Sequence, residues 1–479
     1  MSLDSLERSL GSVPSQVAAD FRGRRVHLIG IGGSGMIGVA RLLLDLGAVV
    51  SGSDREEFDG MGDLVRRGAT VRIGHHAANV PDDATLIVHS AAIPNDNCEL
   101  ALALGRGIAR LTYFEALGVL MRCRDGVAIA GTHGKSTTTA MTAFVFREVG
   151  LDPSFVVGGR CDQLGGSSGA GSGPHFIVES CEFNRSFLHL RPQRAAVLNV
   201  ESDHLDYYSG LDEIVGAFGD FCRQVTPGGL VVCNGEDPFA IHAARSGSAR
   251  VQTFGREEGV DWRATALREE SGCYSFSVAF RGRWMLDTRL SIAGLHNVYN
   301  ALATIALAYD AGADPMAIGR ALPEFRGVSR RMTLRGQAHG VTILDDYAHH
   351  PTEIRVTIEA ARDRYRPRRT LVVFQPHQYS RTRAFLDDFA QAFVQADEVV
   401  VPDIYHAREA KSDYGAAGSQ ELVSRICASG RRACYLPSFE AVTDHVVRSV
   451  SDGDLVMTMG AGDVWKVADG LVARICTAN

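Results

Sequence analysis

At 479 residues the chain is long enough for several domains rather than one. Its 45% hydrophobic and 22% charged content is that of an ordinary globular protein, and a formal net charge of -7 argues against a nucleic-acid partner, which selects a basic face. The ten cysteines show no CxxC pair and no metal-ligand spacing, so reduced thiols are expected. The first twenty residues are polar and carry acids, unlike a signal peptide, and no apolar run reaches the roughly 18 residues that span a bilayer. A cytoplasmic protein with no membrane partner is the expectation.

In chain order, a first block alternates apolar strands (VHLIGIG, AVVSGSD, TVRIG, TLIVHSAAI, ARLTYF) with helical patterns, a parallel α/β signature. Its opening, VHLIGIGGSGMIGVARLLLDLGAVVSGSD, has the Gly-x-Gly-x-x-Gly outline through Gly30, Gly32 and Gly35, with Asp54 where a ribose-binding acid stands in dinucleotide-binding proteins. Read alone, that stretch predicts a nicotinamide-dependent oxidoreductase.

A second block restarts with GVAIAGTHGKSTTTAMTAFVFREVG. A strand feeds a glycine turn, then Lys135 and a hydroxyl run opening a helix. Backbone N–H groups around Gly131, Thr132, His133 and Gly134 can wrap phosphate oxygens at the positive end of that helix. Lys135 would neutralise the β/γ-phosphates, and the Ser136 hydroxyl would ligate Mg²⁺. A strict Walker A motif places glycine five positions before Gly134, where this chain has Ile129. The alternative is a helix N-cap with a solvated lysine, and it leaves the strand–Gly-Lys-Ser–helix order unexplained. Three more strand-like runs follow, and Glu179, Glu201, Asp203, His204 and Asp206 crowd after two of them, able to hold a divalent cation near the loop. GGSSGAGSG, residues 165–173, predicts a flexible linker, and 251–290 an antiparallel ribbon. LHNVYNA then sets His296, Asn297 and Asn300 on one helical face, suited either to a purine or ribose or to simple packing.

The third block predicts another open α/β sheet from VTILDDYA, TLVVFQP, EVVVPDI and LVMTMGAG. LDDYAHHPTE places Asp345, Asp346, Tyr347, His349 and His350 between a strand and a helix beginning at Pro351. QPHQYSRTR offers Arg381 and Arg383 to anionic groups.

Taken together, GIGGSGMIGVA, SGSD, HSAAIP, GTHGKSTTT, NVESDHLDYY, LHNVYNALA, GVSRRM, DDYAHHPTE, QPHQYSRTR and MGAGDVW resemble the Mur ligase family over roughly 21–465, most closely the branch that joins L-alanine to UDP-N-acetylmuramate. The resemblance implies an α/β protein of three domains. These are an N-terminal Rossmann-like UDP-binding domain (1–122), a central P-loop ATPase-type domain with added β structure (123–325) and a C-terminal Rossmann-like domain closing over the amino acid (326–479). It implies an ATP-dependent ligase passing through an acyl phosphate, with UDP-N-acetylmuramate, L-alanine and ATP as small-molecule partners and Mg²⁺ as cofactor. Gly30, Gly32, Gly33, Ser34, Gly35, Met36, Ser53, Asp54, His75 and Ser90 match the UDP-sugar positions. Gly131 to Thr137, His296, Asn297, Asn300, Arg331 and Asp346 match those for ATP. The implied metal ligands are Ser136, Glu179 and His204. Lys135, Glu179, His204, Arg331, Tyr347, His349 and Arg381 match catalytic positions, the last three near the acyl phosphate and the amino acid. Where the family usually has an arginine, this chain has Gln378, which removes one charge from the expected carboxylate contacts. A sister activity, attaching a recycled murein peptide to the same nucleotide sugar, shares nearly every motif. The sequence leaves the oligomeric state open, as monomer or homodimer.

Overall fold

The structure, a computed structural model, describes residues 21–407, 409 and 418–476. Three sheets follow one another along the chain. The first holds β1 (Arg25–Ile29), β2 (Val49–Asp54), β3 (Thr70–Ile73), β4 (Leu86–His89) and β5 (Ala109–Thr112), all parallel, in the order β3-β2-β1-β4-β5. Val26, Leu28 and Ile29 of β1 are buried because helices cover both faces of a parallel sheet, which is why the strand reads as a continuous apolar run.

The second sheet has ten strands: β6 (Asp125–Ala130), β7 (Ser154–Cys161), β8 (Gly166–Gly169), β9 (His175–Glu179), β10 (Arg194–Val197), β11 (Leu230–Asn234), β12 (Arg250–Gly255), β13 (Trp262–Glu270), β14 (Cys273–Phe280) and β15 (Arg283–Arg289). Their order is β15-β14-β13-β12-β11-β10-β6-β9-β7-β8. The expected ribbon is present as antiparallel β13-β14-β15, but it starts later than the sequence suggested, because β12 joins the parallel part. The expected linker at 165–173 is corrected as well. Its first half forms β8, antiparallel to β7, and the helix Ser34–Asp45 of the first domain packs on it. A Cβ on Gly38 would stand 2.6 Å from the Ser168 Cβ, and Arg41 Nη1 donates to the Ser168 carbonyl at 3.1 Å. Small residues here serve close approach rather than flexibility.

The third sheet orders β16 (Thr333–Ala338), β17 (Val341–Asp346), β18 (Arg369–Phe374), β19 (Glu398–Val401), β20 (Arg432–Tyr435) and β21 (Asp454–Met459) as β16-β17-β21-β18-β19-β20, with β16 alone antiparallel to its neighbour. The molecule is thus a three-domain α/β protein in which the carboxyl ends of parallel strands carry the candidate site residues, as open α/β sheets do. Among the described residues no helix is long and apolar enough to cross a membrane, and the nine described cysteines are free.

Candidate active site

The glycine loop after β1 is held by β2. Gly30 N and Ile31 N donate to the Ser53 carbonyl at 2.8 and 3.0 Å, and Gly32 N donates to Asp54 Oδ2 at 2.7 Å. A Cβ on Gly32 would lie 2.4 Å from the Phe58 ring, so a side chain there would displace the loop. Asp54, expected beside the ligand, therefore has one carboxylate oxygen committed to shaping the loop. Ser53 Oγ and His75 Nδ1 lie 3.0 Å apart, Ser90 N donates to the Ile29 carbonyl at 3.1 Å, and Met36 is buried below. Gly33 precedes the helix that Ser34 opens; the side chain of Ser34 lies outside the described residues. The described residues expected around the UDP-sugar are thus gathered along the carboxyl-terminal edge of the first sheet.

The second loop follows β6 and opens the helix Lys135–Glu148. Asn199 clamps it: Thr132 N donates to the Asn199 carbonyl at 3.0 Å and His133 N to Asn199 Oδ1 at 2.7 Å. Lys135 Nζ donates to the carbonyls of Gly131 (2.6 Å) and Thr132 (3.0 Å) and to Glu182 Oε1 (2.9 Å). Glu182 is 2% exposed. Burial pulls the Lys135 ammonium toward neutrality, yet the Glu182 charge prevails and its pKa is raised. Ser136 Oγ donates to Glu179 Oε1 at 3.0 Å, and Gly158 N fixes Glu179 Oε2 at 2.5 Å. His204 stands in the left-handed region (φ 52°), its Nε2 3.7 Å from Glu182 Oε1. Burial lowers the His204 pKa, which keeps the imidazole neutral, its ligating form. A hydroxyl, a carboxylate already touching it and a neutral imidazole make a donor set compatible with a divalent cation.

Between the second and third domains lies a cleft of about 560 Å³ lined by Gly134, Thr137, His296, Asn297, Asn300, Arg331 and Asp346. With His133, which also lines it, these are eight of the residues expected around ATP. Asn300 Nδ2 donates to Asn297 Oδ1 at 3.0 Å, and Asn297 Nδ2 to the Ala293 carbonyl at 2.7 Å, so the two amides are oriented before any ligand arrives. Gly134 (φ 79°) approaches them so closely that a Cβ would meet Asn300 Oδ1 at 2.8 Å. Burial drives the His296 pKa down to about 4 and that of Asp346 up to about 6, the latter against the pull of Arg331 and of N–H bonds from Ala348 and Met332. The Arg331 guanidinium lies 5.2 Å over the Tyr347 ring and 3.8 Å from Glu353.

From the third domain, His349 is pushed down to about 3 by burial, and its Nδ1 lies 3.1 Å from the Tyr347 carbonyl. Arg381 differs from expectation. Its Nη2 and Nε donate to Asp203 Oδ1 at 2.6 and 3.1 Å, with side-chain exposures of 6% and 8% for the pair. The guanidinium thus joins two domains instead of standing free for an anion. Gln378 is buried, and the N–H groups of Tyr379 and Ser380 after it donate to the Glu409 carboxylate.

Comparison with known proteins agrees with this layout. Three models match consecutive parts of the chain: "Mur ligase family, catalytic domain" over 25–124, "Mur ligase middle domain" over 129–308 and "Mur ligase, glutamate ligase domain" over 330–462. The UDP-N-acetylmuramate–L-alanine ligase of Caldanaerobacter subterraneus subsp. tengcongensis is 40% identical over 448 residues, 93% of this chain and 96% of its own. This chain belongs to the Mur ligase family. The enzyme of the same name from Acetivibrio thermocellus is 40% identical across 93% of this chain and 95% of its own. Among solved structures, the UDP-N-acetylmuramate-alanine ligase MurC of Thermotoga maritima superposes with a TM-score of 0.77 at 29% identity, covering 95% of this chain and all of that one. A murein peptide ligase of Psychrobacter arcticus gives 0.68 at 25% identity, with the same coverage.

Several residues of the candidate site in this Mur ligase are not singled out by their place in a motif. Asn199 and Glu182 act through bonds to the loop, and Glu353 gathers charges from both domains. The signal available for Glu182 was its three-residue spacing from Glu179. Glu353 Oε1 stands 3.3 Å from His133 Nδ1, Glu201 Oε2 is 3.6 Å from His133 Nε2, and the His350 ring lies 4.6 Å from that of His133. Burial opposes a charge on His133, but hydrogen bonding to Glu201 and Glu353 lifts its pKa to about 9. A histidine with a raised folded pKa stabilises its contact fully below its ordinary 6.5 and loses that contribution as pH rises through about 9. Docking of the third domain should therefore loosen across that window. Small-angle scattering at the two ends should show a larger radius of gyration at high pH, and His133→Gln should flatten the dependence. A pH-independent radius in the unmodified protein would rule this out.

Proposed function

We propose that the chain is an ATP-dependent amide ligase that joins L-alanine to the lactyl carboxylate of UDP-N-acetylmuramate, a step of peptidoglycan precursor synthesis in the cytoplasm. What carries L-alanine over a longer peptide is full-length likeness, near 40% identity, to ligases named for that reaction; the recycled-peptide alternative is not favoured. The nicotinamide reading of the first loop gives way, since a second phosphate loop stands beside a buried carboxylate and an amide-lined cleft.

A carboxylate is a poor acyl donor because oxide would have to leave. ATP transfers its γ-phosphoryl group to the lactyl carboxylate, giving an acyl phosphate and ADP. The alanine amine, as the free base, then attacks the acyl carbon; phosphate departs with the C–O bonding pair, and the proton shed by the nitrogen leaves with phosphate or water. Gly131 to Ser136 would cradle the phosphates, with Lys135 neutralising the charge that develops between β- and γ-phosphates. Ser136, Glu179 and His204 would hold Mg²⁺, which when bound neutralises phosphate and carboxylate oxygens. His296, Asn297 and Asn300 would take adenosine, with Asp346 and Arg331 across the cleft. Neutral His349, with its Nδ1–H on the Tyr347 carbonyl, leaves the Nε2 lone pair to orient the incoming amine. The first-sheet edge, from Gly30 to Ser90, would hold the UDP moiety.

Phosphate release across a panel of amine substrates tests this. Release should require UDP-N-acetylmuramate and L-alanine together. A murein tripeptide supporting faster release than L-alanine would overturn the assignment in favour of the sister activity.

A further inference from the structure

Below the first-sheet edge lies a carboxylate that none of the roles above uses. Glu99, in the first turn of the helix Cys98–Gly105, is 0% exposed. His27 Nε2 and Ser53 Oγ each lie 2.8 Å from its Oε2; its Oε1 accepts from His76 N at 3.0 Å and Asn79 Nδ2 at 3.1 Å, with His75 Nδ1 at 3.4 Å. Burial opposes ionisation, yet His27, Ser53 and Asn79 hold its pKa down at about 2, so it is a carboxylate throughout the working range.

An ionised carboxylate accepts hydrogen bonds and donates none, so each neighbour must turn a hydrogen toward it. Ser53 has one hydroxyl hydrogen, and it goes to Glu99. The Ser53 oxygen, 3.0 Å from His75 Nδ1, can then serve that nitrogen as an acceptor. With one ring hydrogen, His75 consequently carries it on Nδ1, toward Ser53 Oγ and Glu99, and its lone pair stands on Nε2. On the other side, His27 gives Nε2–H to Glu99, and its Nδ1 lies 2.9 Å from Ser51 Oγ. His75 keeps 15% side-chain exposure, whereas His27 keeps none.

We propose that Glu99 is a positioning residue of the nucleotide-sugar subsite: acting through Ser53, it fixes His75 as a hydrogen-bond acceptor at Nε2 for an N–H group of the ligand. This rests on the reading of that sheet edge as the UDP-sugar site. A UDP-N-acetyl sugar offers two such donors, the uracil imide and the acetamido group. Cytosine has no hydrogen at the equivalent ring nitrogen.

Calorimetric titration of the full chain with UDP, CDP, UDP-N-acetylglucosamine and ATP tests the proposal. Glu99→Gln and Ser53→Ala should each weaken UDP-N-acetylglucosamine binding about tenfold or more, the scale of a lost charge-assisted bond, while ATP affinity stays within about twofold. Ser53→Ala leaves the other donors on Glu99 in place and so keeps the test alive if the buried amide of Glu99→Gln prevents folding. If the uracil imide is the donor, the preference of the unmodified protein for UDP over CDP falls toward parity in Ser53→Ala. If the acetamido group is the donor, that ratio holds and UDP-N-acetylglucosamine loses more affinity than UDP. Unchanged nucleotide-sugar affinity in the folded variants, or equal losses for it and ATP, would overturn the role of Glu99. An unmodified protein that binds none of the uridine nucleotides would instead refute the assignment of the subsite.

Discussion

Lys135→Ala is expected to lower phosphate release with all three substrates by about a thousandfold, the loss that follows when one preorganised charge donor is removed from a developing anion. The geometry sets the second consequence. Lys135 Nζ donates to Glu182 at 2.9 Å, so the alanine variant leaves a carboxylate at 2% exposure without that ammonium. Removing one partner of a buried ion pair costs about 3–5 kcal/mol, so the variant should also melt earlier. Adding Glu182→Gln separates the two effects: the double variant should recover thermal stability and remain inactive. Lys135→Arg should fail as well, because a planar fork cannot occupy the point between the Gly131 and Thr132 carbonyls and Glu182. Activity within about tenfold of the unmodified protein in Lys135→Ala would remove the lysine from the phosphate-neutralising role.

Much of this arrangement is legible in the sequence wherever a local pattern carries the physics. The two glycine loops announce themselves because a strand end, a tight turn and a helix start are contiguous, and Gly30 and Gly134 do adopt positive φ there. The buried central strands are readable as apolar runs. The edge strands are not: β16 reads TLRGQA and β20 reads RACY, since an edge strand has one solvated flank and carries charge. Nor could the glycine- and serine-rich β8 be told from a linker, because its reason for being small is a helix from another domain. Candidate-site residues that act by touching others, such as Glu99, Asn199 and Glu182, have partners between 47 and 72 positions away, and no motif spans such distances. Arg381 shows the opposite limit. Its place in QPHQYSRTR marks it as an anion binder, but its anion in this structure is Asp203, 178 residues earlier.

That pair leads to the second large expected effect. Arg381→Ala should reduce kcat/KM for L-alanine about a hundredfold, the penalty of misplacing a bound reactant by the order of an ångström. Asp203 accepts not only Arg381 but also the N–H of His204, at 2.7 Å, and so couples docking of the third domain to the backbone of a candidate metal ligand. Asp203→Asn weakens both bonds at once. It should therefore raise the Mg²⁺ concentration needed for half-maximal activity, an effect Arg381→Ala should produce to a smaller degree. The two changes should be strongly non-additive, with a coupling energy of about 2 kcal/mol in a double-variant cycle on L-alanine turnover. The Asp203 charge also fixes a pH dependence. Burial opposes its ionisation, but Arg381 and nearby histidines hold its pKa far below the ordinary 3.8. A depressed folded pKa means the contact contributes in full above about pH 4 and loses strength as the pH falls below that value, the reverse of the His133 contact, which weakens on the alkaline side. Closure should consequently be firmest between roughly pH 4 and 6.5, where both contacts hold. Additive losses in the double variant, with an unchanged Mg²⁺ requirement in Asp203→Asn, would show that the pair merely packs two domains together.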